Sequence, residues 1–287
     1  MAVATDKFAE FQTWIGRTQN AHDEITAFPV NALAALLDAN QKSASLGTEV
    51  PPLWHWLYFL PLYRPRDIRH DGHAYGGEFM PPLPLPRRVW AGSKFEWNLD
   101  NPLKIGDQAT RTSRIASITP KVGSTGELVF VKIIHEFHNE SGLCFSNEHN
   151  SAFRGNPPAG LKPAMPVLAE TTAAWHRELV PDPVLLFRYS AITFNAHRIH
   201  YDAPYAIEEE GYPALLVHGP LIATLLMDLL RRNAPDVAVL SLEFKAIRPS
   251  FVGNAMHLRG NRDGDRIELW ASDNEGRLTM KASATVR

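Results

Sequence analysis

The sequence predicts an α+β protein made of two related units, each with one long helix set against a curved antiparallel sheet. Three observations lead there. In residues 240–247 (LSLEFKAI) and 278–286 (LTMKASATV) apolar and polar side chains alternate, so each strand buries one face and wets the other, as antiparallel strands do. Residues 128–137 (LVFVKIIHEF) form a near-continuous β-rich run between turn signals. The spacing of Pro102, Gly106 and Asp107 returns in Pro249, Gly253 and Asn254, and Asn139–Gly142 is answered by Asn274–Gly276.

The elements follow in order. Residues 7–15 and 29–39 place apolar groups three to four residues apart, with Pro29 near a helix start. Residues 51–92 carry Trp54, Trp56, Tyr58, Phe59, Trp90 and other aromatics among many prolines, and PPLPLPRR (81–88) is too proline-rich for a helix or a central strand. Such a loop either covers the core with its aromatics or forms a substrate lid or cofactor groove. The hairpin signals Arg262–Gly264 and Asp273–Gly276 punctuate the last strands. The prolines of 155–185 suit a linker, giving an N-terminal domain at 1–154 and a C-terminal domain at 186–287.

Composition excludes several classes of function. The 287 residues are 45% hydrophobic and 21% charged, as in globular proteins. A net charge of −2 gives no reason to expect a nucleic-acid partner. The single cysteine, Cys144, forms no internal disulfide and reads as a packing residue. The N-terminus lacks the basic start and apolar stretch of a secretory signal. The longest apolar run, 215–227, is interrupted by His218 and closed by Asp228, so it reads as a buried helix and not a membrane span. The expected location is cytoplasmic.

Residues 187–206 concentrate the chemistry. Asn195, His197, Arg198, His200, Tyr201 and Asp202 precede Gly219-Pro220 and an apolar helix. Proline suits a first helical turn, glycine admits a ligand to the backbone, and the free N–H groups there favour developing negative charge. An acid/base group beside such a helix start suits chemistry at a carbon next to a thioester carbonyl. Most of the 12 histidines must be structural. The His197–His200 spacing matches a metal pair, but no carboxylate or cysteine set completes it, so neither metal nor cofactor is expected.

The same stretch resembles the hydratase-2 signature of R-specific enoyl-CoA hydratases and MaoC-like dehydratases, Tyr-x-x-Ser-Gly-Asp-x-Asn-Pro-x-His-x-Asp-Pro. Residues 77–93 and 121–131 look like the partner domain of such proteins. The closest subgroup is the mesaconyl-C4-CoA and itaconyl-CoA hydratases with the mitochondrial-type 3-hydroxyacyl thioester dehydratases. The resemblance implies a double hot-dog fold, in which a sheet wraps a long helix twice over. It places the catalytic histidine at His200 and the following aspartate at Asp202. The signature's catalytic aspartate is Asn195 here, its asparagine is His197 and its proline is Arg198, a substitution pattern that the subgroup shares.

The implied reaction adds water to an enoyl-CoA, most directly itaconyl-CoA or mesaconyl-C4-CoA, to give citramalyl-CoA. His200 would act as base, Asn195 would hold the water, and the Gly219 N–H would receive the enolate oxygen. Asp202 either orients the imidazole or faces solvent. His197 and Tyr201 are candidate substrate contacts. Arg198, or one of Arg87 and Arg88, is a candidate for the substrate's free carboxylate. Lys245 and Arg248, with the same arginine pair, are candidates for the CoA phosphates. Dehydration of a 3-hydroxyacyl thioester on CoA or carrier protein, a thioesterase and a non-catalytic acyl-CoA sensor are the alternatives. No membrane partner is expected, and a homo-oligomer is compatible with the sequence.

Overall fold

Alternating side chains along nine or ten short segments can satisfy their backbone only by pairing, and here they pair into one sheet. The structure, a computed structural model, describes residues 8–40, 42–75, 78–123, 126–155 and 165–287. The first half supplies β1 (Thr18–Glu24), β2 (Arg87–Trp97), β3 (Gln108–Gly123), β4 (Gly126–Asn139) and β5 (Gly142–Arg154). The second supplies β6 (Trp175–Leu179), β7 (Val239–Ala246), β8 (Met256–Asp263), β9 (Arg266–Ser272) and β10 (Leu278–Val286). Their order is β1-β3-β4-β5-β2-β7-β10-β9-β8-β6, antiparallel throughout. The order is symmetric about the β2–β7 pair, where Gly92 faces Lys245. A Cβ on Gly92 would lie 2.2 Å from the Phe244 carbonyl oxygen, so glycine permits the two halves to meet.

The turn repeat read from sequence is a structural repeat. Gly106 and Gly253 both hold positive φ, +100° and +83°. A bridge from Glu49 to Lys104 in the first half matches one from Leu216 to Phe251 in the second. The helices α1 (Ala27–Leu36) and α2 (Pro183–Ile192) occupy equivalent positions before these bridges. Directly after its bridge, the second half forms α3 (Gly219–Asn233), with Pro220 in the first turn, Arg231 and Arg232 in the last, and 221–230 buried in between. The first half forms only a 3-10 turn, Trp54–Leu57, at that point. The double hot dog is therefore asymmetric: one long central helix, and one reduced to a turn. The segment after Leu57 covers the first sheet instead, packing Phe59 against Phe137 and Leu83 and Leu85 against Val129 and its neighbours.

The strands expected at 128–137, 240–247 and 278–286 lie in β4, β7 and β10, and the helix expected at 29–39 is α1. Residues 9–14 form a 3-10 turn, and residue 7 lies outside the described residues. Of the expected linker, 156–164 lie outside the described residues. The rest holds β6, which pairs with β8, and the opening of α2, where Asp182 Oδ1 accepts from the Leu185 N–H at 2.7 Å. Ser124 and Thr125 of the partner-domain segment also lie outside, as does Gly77. Among the described residues no helix is long and apolar enough to cross a membrane.

One buried carboxylate ties the halves together. Asp228, on α3 and 3% exposed, accepts from Arg177 Nη1 of β6 and Arg232 Nε, both at 2.6 Å. Arg232 also donates to the Leu37 and Asp38 carbonyls just past the end of α1, at 2.9 and 3.0 Å. Asp228→Asn should cost about 3 kcal/mol in urea unfolding, because two guanidinium groups lose the carboxylate charge they share and face an amide NH2 that cannot accept. A loss below about 1 kcal/mol would show that the pair adds little beyond packing.

Candidate active site

After α2 the chain cannot continue as helix, because Phe194 adopts φ +49°. The hydratase-2 signature has glycine at this position, and a bulky side chain in the left-handed region is strained. Asn195 Oδ1 then accepts the His197 N–H at 3.0 Å, a local turn that leaves the amide NH2 without a hydrogen bond among the described residues. The 3-10 turn Arg198–His200 follows. It is sewn to the approach to α3 twice: the Leu216 N–H donates to the Ile199 carbonyl at 3.0 Å, and His200 Nδ1 meets the Leu216 carbonyl at 2.9 Å. A carbonyl only accepts, so Nδ1 carries the proton and Nε2 presents a lone pair. Burial lowers the His200 pKa to about 4, which keeps the ring neutral at pH 7.

His200 lies at the start of α3. Its ring stacks on His218, the residue that caps the helix, at 3.8 Å between centroids and 20° between planes. His218 is fully buried, with Nε2 bonded to Ser190 Oγ at 2.8 Å and Nδ1 unpartnered among the described residues. On the other side stands His197, 5.5 Å from His200. Beyond it the first half contributes His73, whose ring centroid is 3.9 Å from that of His197. His73 Nδ1 is 3.4 Å from Asp71, which in turn pairs with Arg69. Four imidazoles thus form a row from a partly exposed end at His73 to a buried end at His218.

Close docking of the first half makes this row. Gly72 has φ +90°, and a Cβ there would lie 1.8 Å from the Ala196 carbonyl oxygen. The Asp71 carbonyl accepts the Arg198 N–H at 3.0 Å. Burial pushes His197 down to about 2, with the charges of His73 and His200 adding to it, and His73 is lowered chiefly by burial. Closely packed, desolvated imidazoles of this kind hold few protons among them.

Known proteins place this arrangement. A family model for hydroxyacyl-thioester dehydratase type 2 matches residues 53–252. A mesaconyl-C(4)-CoA hydratase from Chloroflexus aurantiacus is 41% identical over 276 residues, covering 96% of this chain and 97% of that protein. The chain belongs to the hydroxyacyl-thioester dehydratase type 2 family. Its members are hydro-lyases, as the names of both this relative and the family state. Among solved structures, HtdX from Mycobacterium tuberculosis superposes with a TM-score of 0.64 at 17% identity, covering 93% of this chain and 99% of that one. A second protein of that organism, described as a double hot dog, superposes at 0.58 with 11% identity over 95% and 96% of the two chains.

Within this family frame the expected site residues separate. His200, His197, Asn195 and Gly219 come together at the helix start. Asp202 does not orient the imidazole: its Oδ2 is held by Arg198 Nε and Nη2 at 3.0 and 2.8 Å, its Oδ1 receives the Tyr205 N–H at 3.2 Å, and Leu216 holds the ring. Asp202 and Arg198 are an i,i+4 pair, so the arginine edge expected for a substrate carboxylate is occupied. Arg198 further meets His70 Nε2 at 2.7 Å and stacks 4.1 Å over Tyr205. Tyr201 donates to the Ala196 carbonyl at 3.0 Å and braces its own loop.

The basic candidates divide by strand face. Lys245 alternates with the inward-facing Phe244 on β7 and is 74% exposed on the outer face, so the sheet separates it from His200. Arg87 likewise alternates with Arg88, which turns to the concave face and donates to Ser151 Oγ at 3.4 Å. Arg248 lies beyond β7, two residues before Ser250, whose carbonyl accepts the Val217 N–H ahead of α3. Among the described residues one group of three metal-ligand side chains occurs, His176, Glu178 and His257 on β6 and β8; His197 and His200 are not in it.

Sequence reasoning missed His73, Asp71, His218 and Ser190. His218 carried a signal, since it directly precedes Gly219-Pro220. His73 carried none beyond its place in the aromatic loop.

Proposed function

We propose that this chain reversibly hydrates an enoyl-CoA thioester whose acyl group is a C5 dicarboxylic unit, such as mesaconyl-C4-CoA or itaconyl-CoA, yielding citramalyl-CoA. The observation that carries the reading is the His200 imidazole, fixed by Leu216 with its Nε2 lone pair free, stacked on the cap of the helix that begins at Gly219. The 41% identical mesaconyl-C(4)-CoA hydratase supports the choice of acyl group.

In this reading a water donates one hydrogen bond to His200 Nε2 and receives one from the Asn195 amide. Nε2 takes the proton as the water oxygen bonds to the β-carbon. In mesaconyl-C4-CoA the displaced π electrons move through the α-carbon onto the thioester oxygen, which the N–H groups at Gly219 and Leu221 stabilise along with the helix dipole; itaconyl-CoA, whose double bond lies one carbon further from the thioester, must first lose an α-proton and gain one at its terminal methylene to become the same conjugated ester. The imidazolium returns its proton to the α-carbon, and the thioester carbonyl reforms. Asparagine serves where the signature has aspartate because the water needs a fixed donor once His200 alone accepts the proton. Arg248, two residues before Ser250 and the approach to α3, is the group we assign to the CoA phosphates in this reading.

Loss of the conjugated-enoyl absorbance tests the reading with mesaconyl-C4-CoA and crotonyl-CoA offered in parallel, and formation of citramalyl-CoA is followed directly for itaconyl-CoA. Preference for a dicarboxylic ester supports it. Preference for crotonyl-CoA would move the chain to plain acyl metabolism, and release of free thiol would make it a thioesterase.

A further inference from the structure

The reduced helix of the first half leaves a stripe of polar side chains on the concave face of its sheet that the hydration chemistry does not use. The register aligns Ser113 with His135 and Asn147 across β3, β4 and β5, and His149 with Ser93 across β5 and β2. Arg111 and Arg88 stand at the two ends, on β3 and β2. The stripe runs between two apolar clusters, one containing Phe95, Phe137 and Phe145, the other Val129, Val131 and Phe153. Part of it is internally bonded: Ser113 Oγ meets His135 Nδ1 at 2.7 Å, and His149 Nε2 meets Ser151 Oγ at 3.0 Å.

The cations are not satisfied. Arg88 has the long contact to Ser151 and the Phe153 ring at 5.7 Å. Arg111 has the Phe59 carbonyl at 3.5 Å and the Phe59 ring at 5.5 Å, and among the described residues its buried Nε has no partner, nor has Asn147 Oδ1. Among the described residues neither guanidinium has a carboxylate within 4.0 Å, whereas Arg177, Arg198 and Arg232 each do. Burial lowers the pKa of both, and their charges add to burial in pushing His135 down to about 3. Arg88 keeps solvent access at the stripe's edge and Arg111 is half-buried, so two guanidinium groups without a carboxylate partner among the described residues stand beside neutral imidazoles and present positive charge that an anion can reach.

Position says which anion. Trp90, next on the same face of β2 after Arg88, stacks on His149 at 5.6 Å, and its ring lies 3.4 Å from where a Cβ on Gly219 would stand. The stripe therefore begins at the helix start and leads into the first half, and the charge of Arg88 also lowers the pKa of His73.

We propose that Arg88 and Arg111, with His135 and His149 between them, form a binding site for a carboxylate at the far end of the acyl group, a few carbon atoms from the thioester. This rests on the hydratase reading of His200.

The test compares wild type with Arg88→Gln and Arg111→Gln on mesaconyl-C4-CoA and crotonyl-CoA. The expected result is a fall of about 100-fold in kcat/KM for the carboxylated ester and less than about threefold for crotonyl-CoA, with Arg88→Lys falling in between. An equal fall on both esters, or no fall, overturns the proposal. Calorimetric titration of the same proteins with free mesaconate needs no turnover. Saturable binding to wild type that Arg88→Gln abolishes supports the site even if no enoyl-CoA is hydrated, the result that would defeat the hydratase reading alone. Absence of mesaconate binding to wild type, or inorganic phosphate binding in its place, overturns the site itself.

Discussion

His200→Ala should lower kcat/KM for enoyl-CoA hydration by about 10³-fold, within the range for removal of a general base, while the protein stays folded. Most of the loss should fall on kcat, because the imidazole acts on the water and not on the CoA moiety. The wild-type acid limb should lie well below the usual histidine value, since the folded pKa of His200 is near 4 and the neutral ring is the active form. His200→Gln keeps much of the volume without a basic nitrogen and should behave like alanine. A drop of less than tenfold in either variant would remove His200 from the base role and leave His197 or His73 to be tested.

The second large effect is acid unfolding. His55, His135, His197 and His200 are held at about 3, 3, 2 and 4, in every case mainly by burial. His55 shows why: it lies among Phe95, Phe137, Phe145 and Trp56, with Nε2 unpartnered among the described residues. In the unfolded chain each titrates near 6.5. Below that value the unfolded state binds protons that the folded state refuses. Stability is thus fully present above about pH 6.5 and is lost as pH falls towards the folded values. Each group contributes about 1.4 kcal/mol per pH unit once it is protonated in the unfolded chain, so the four together give a slope on the order of 5 kcal/mol per unit. Urea midpoints should be level from pH 7 to 8 and collapse between 6 and 4.5, before most carboxylates titrate. His55→Phe should make the fall shallower. A midpoint unchanged from pH 7 to pH 5 would show that these rings take protons freely in the folded protein.

The parts of the site that sequence revealed are those built by neighbours in the chain. His200 and Gly219 were legible because a polar cluster and a Gly-Pro helix start announce themselves locally. The pairing of Arg198 with Asp202 was also available, since opposite charges four residues apart meet readily on a helical stretch. The 51–92 loop reads equally as a covering segment or as a substrate lid or cofactor groove; in the structure Phe59 covers the sheet, and Gly72 and His73 dock on the motif.

By itself the chain determined its class, the strands at 128–137, 240–247 and 278–286, the long helix after Gly219 and the two groups at the helix start, because alternation, turn chemistry and apolar periodicity act over a few residues. Only the tertiary structure decided that the first central helix shrinks to one turn, that His73 joins the histidine row, and that Arg88 and Arg111 end one polar stripe without a carboxylate partner among the described residues. Those facts depend on strand register and on docking between segments more than a hundred residues apart, where side-chain packing and desolvation, and not local propensity, choose the partners.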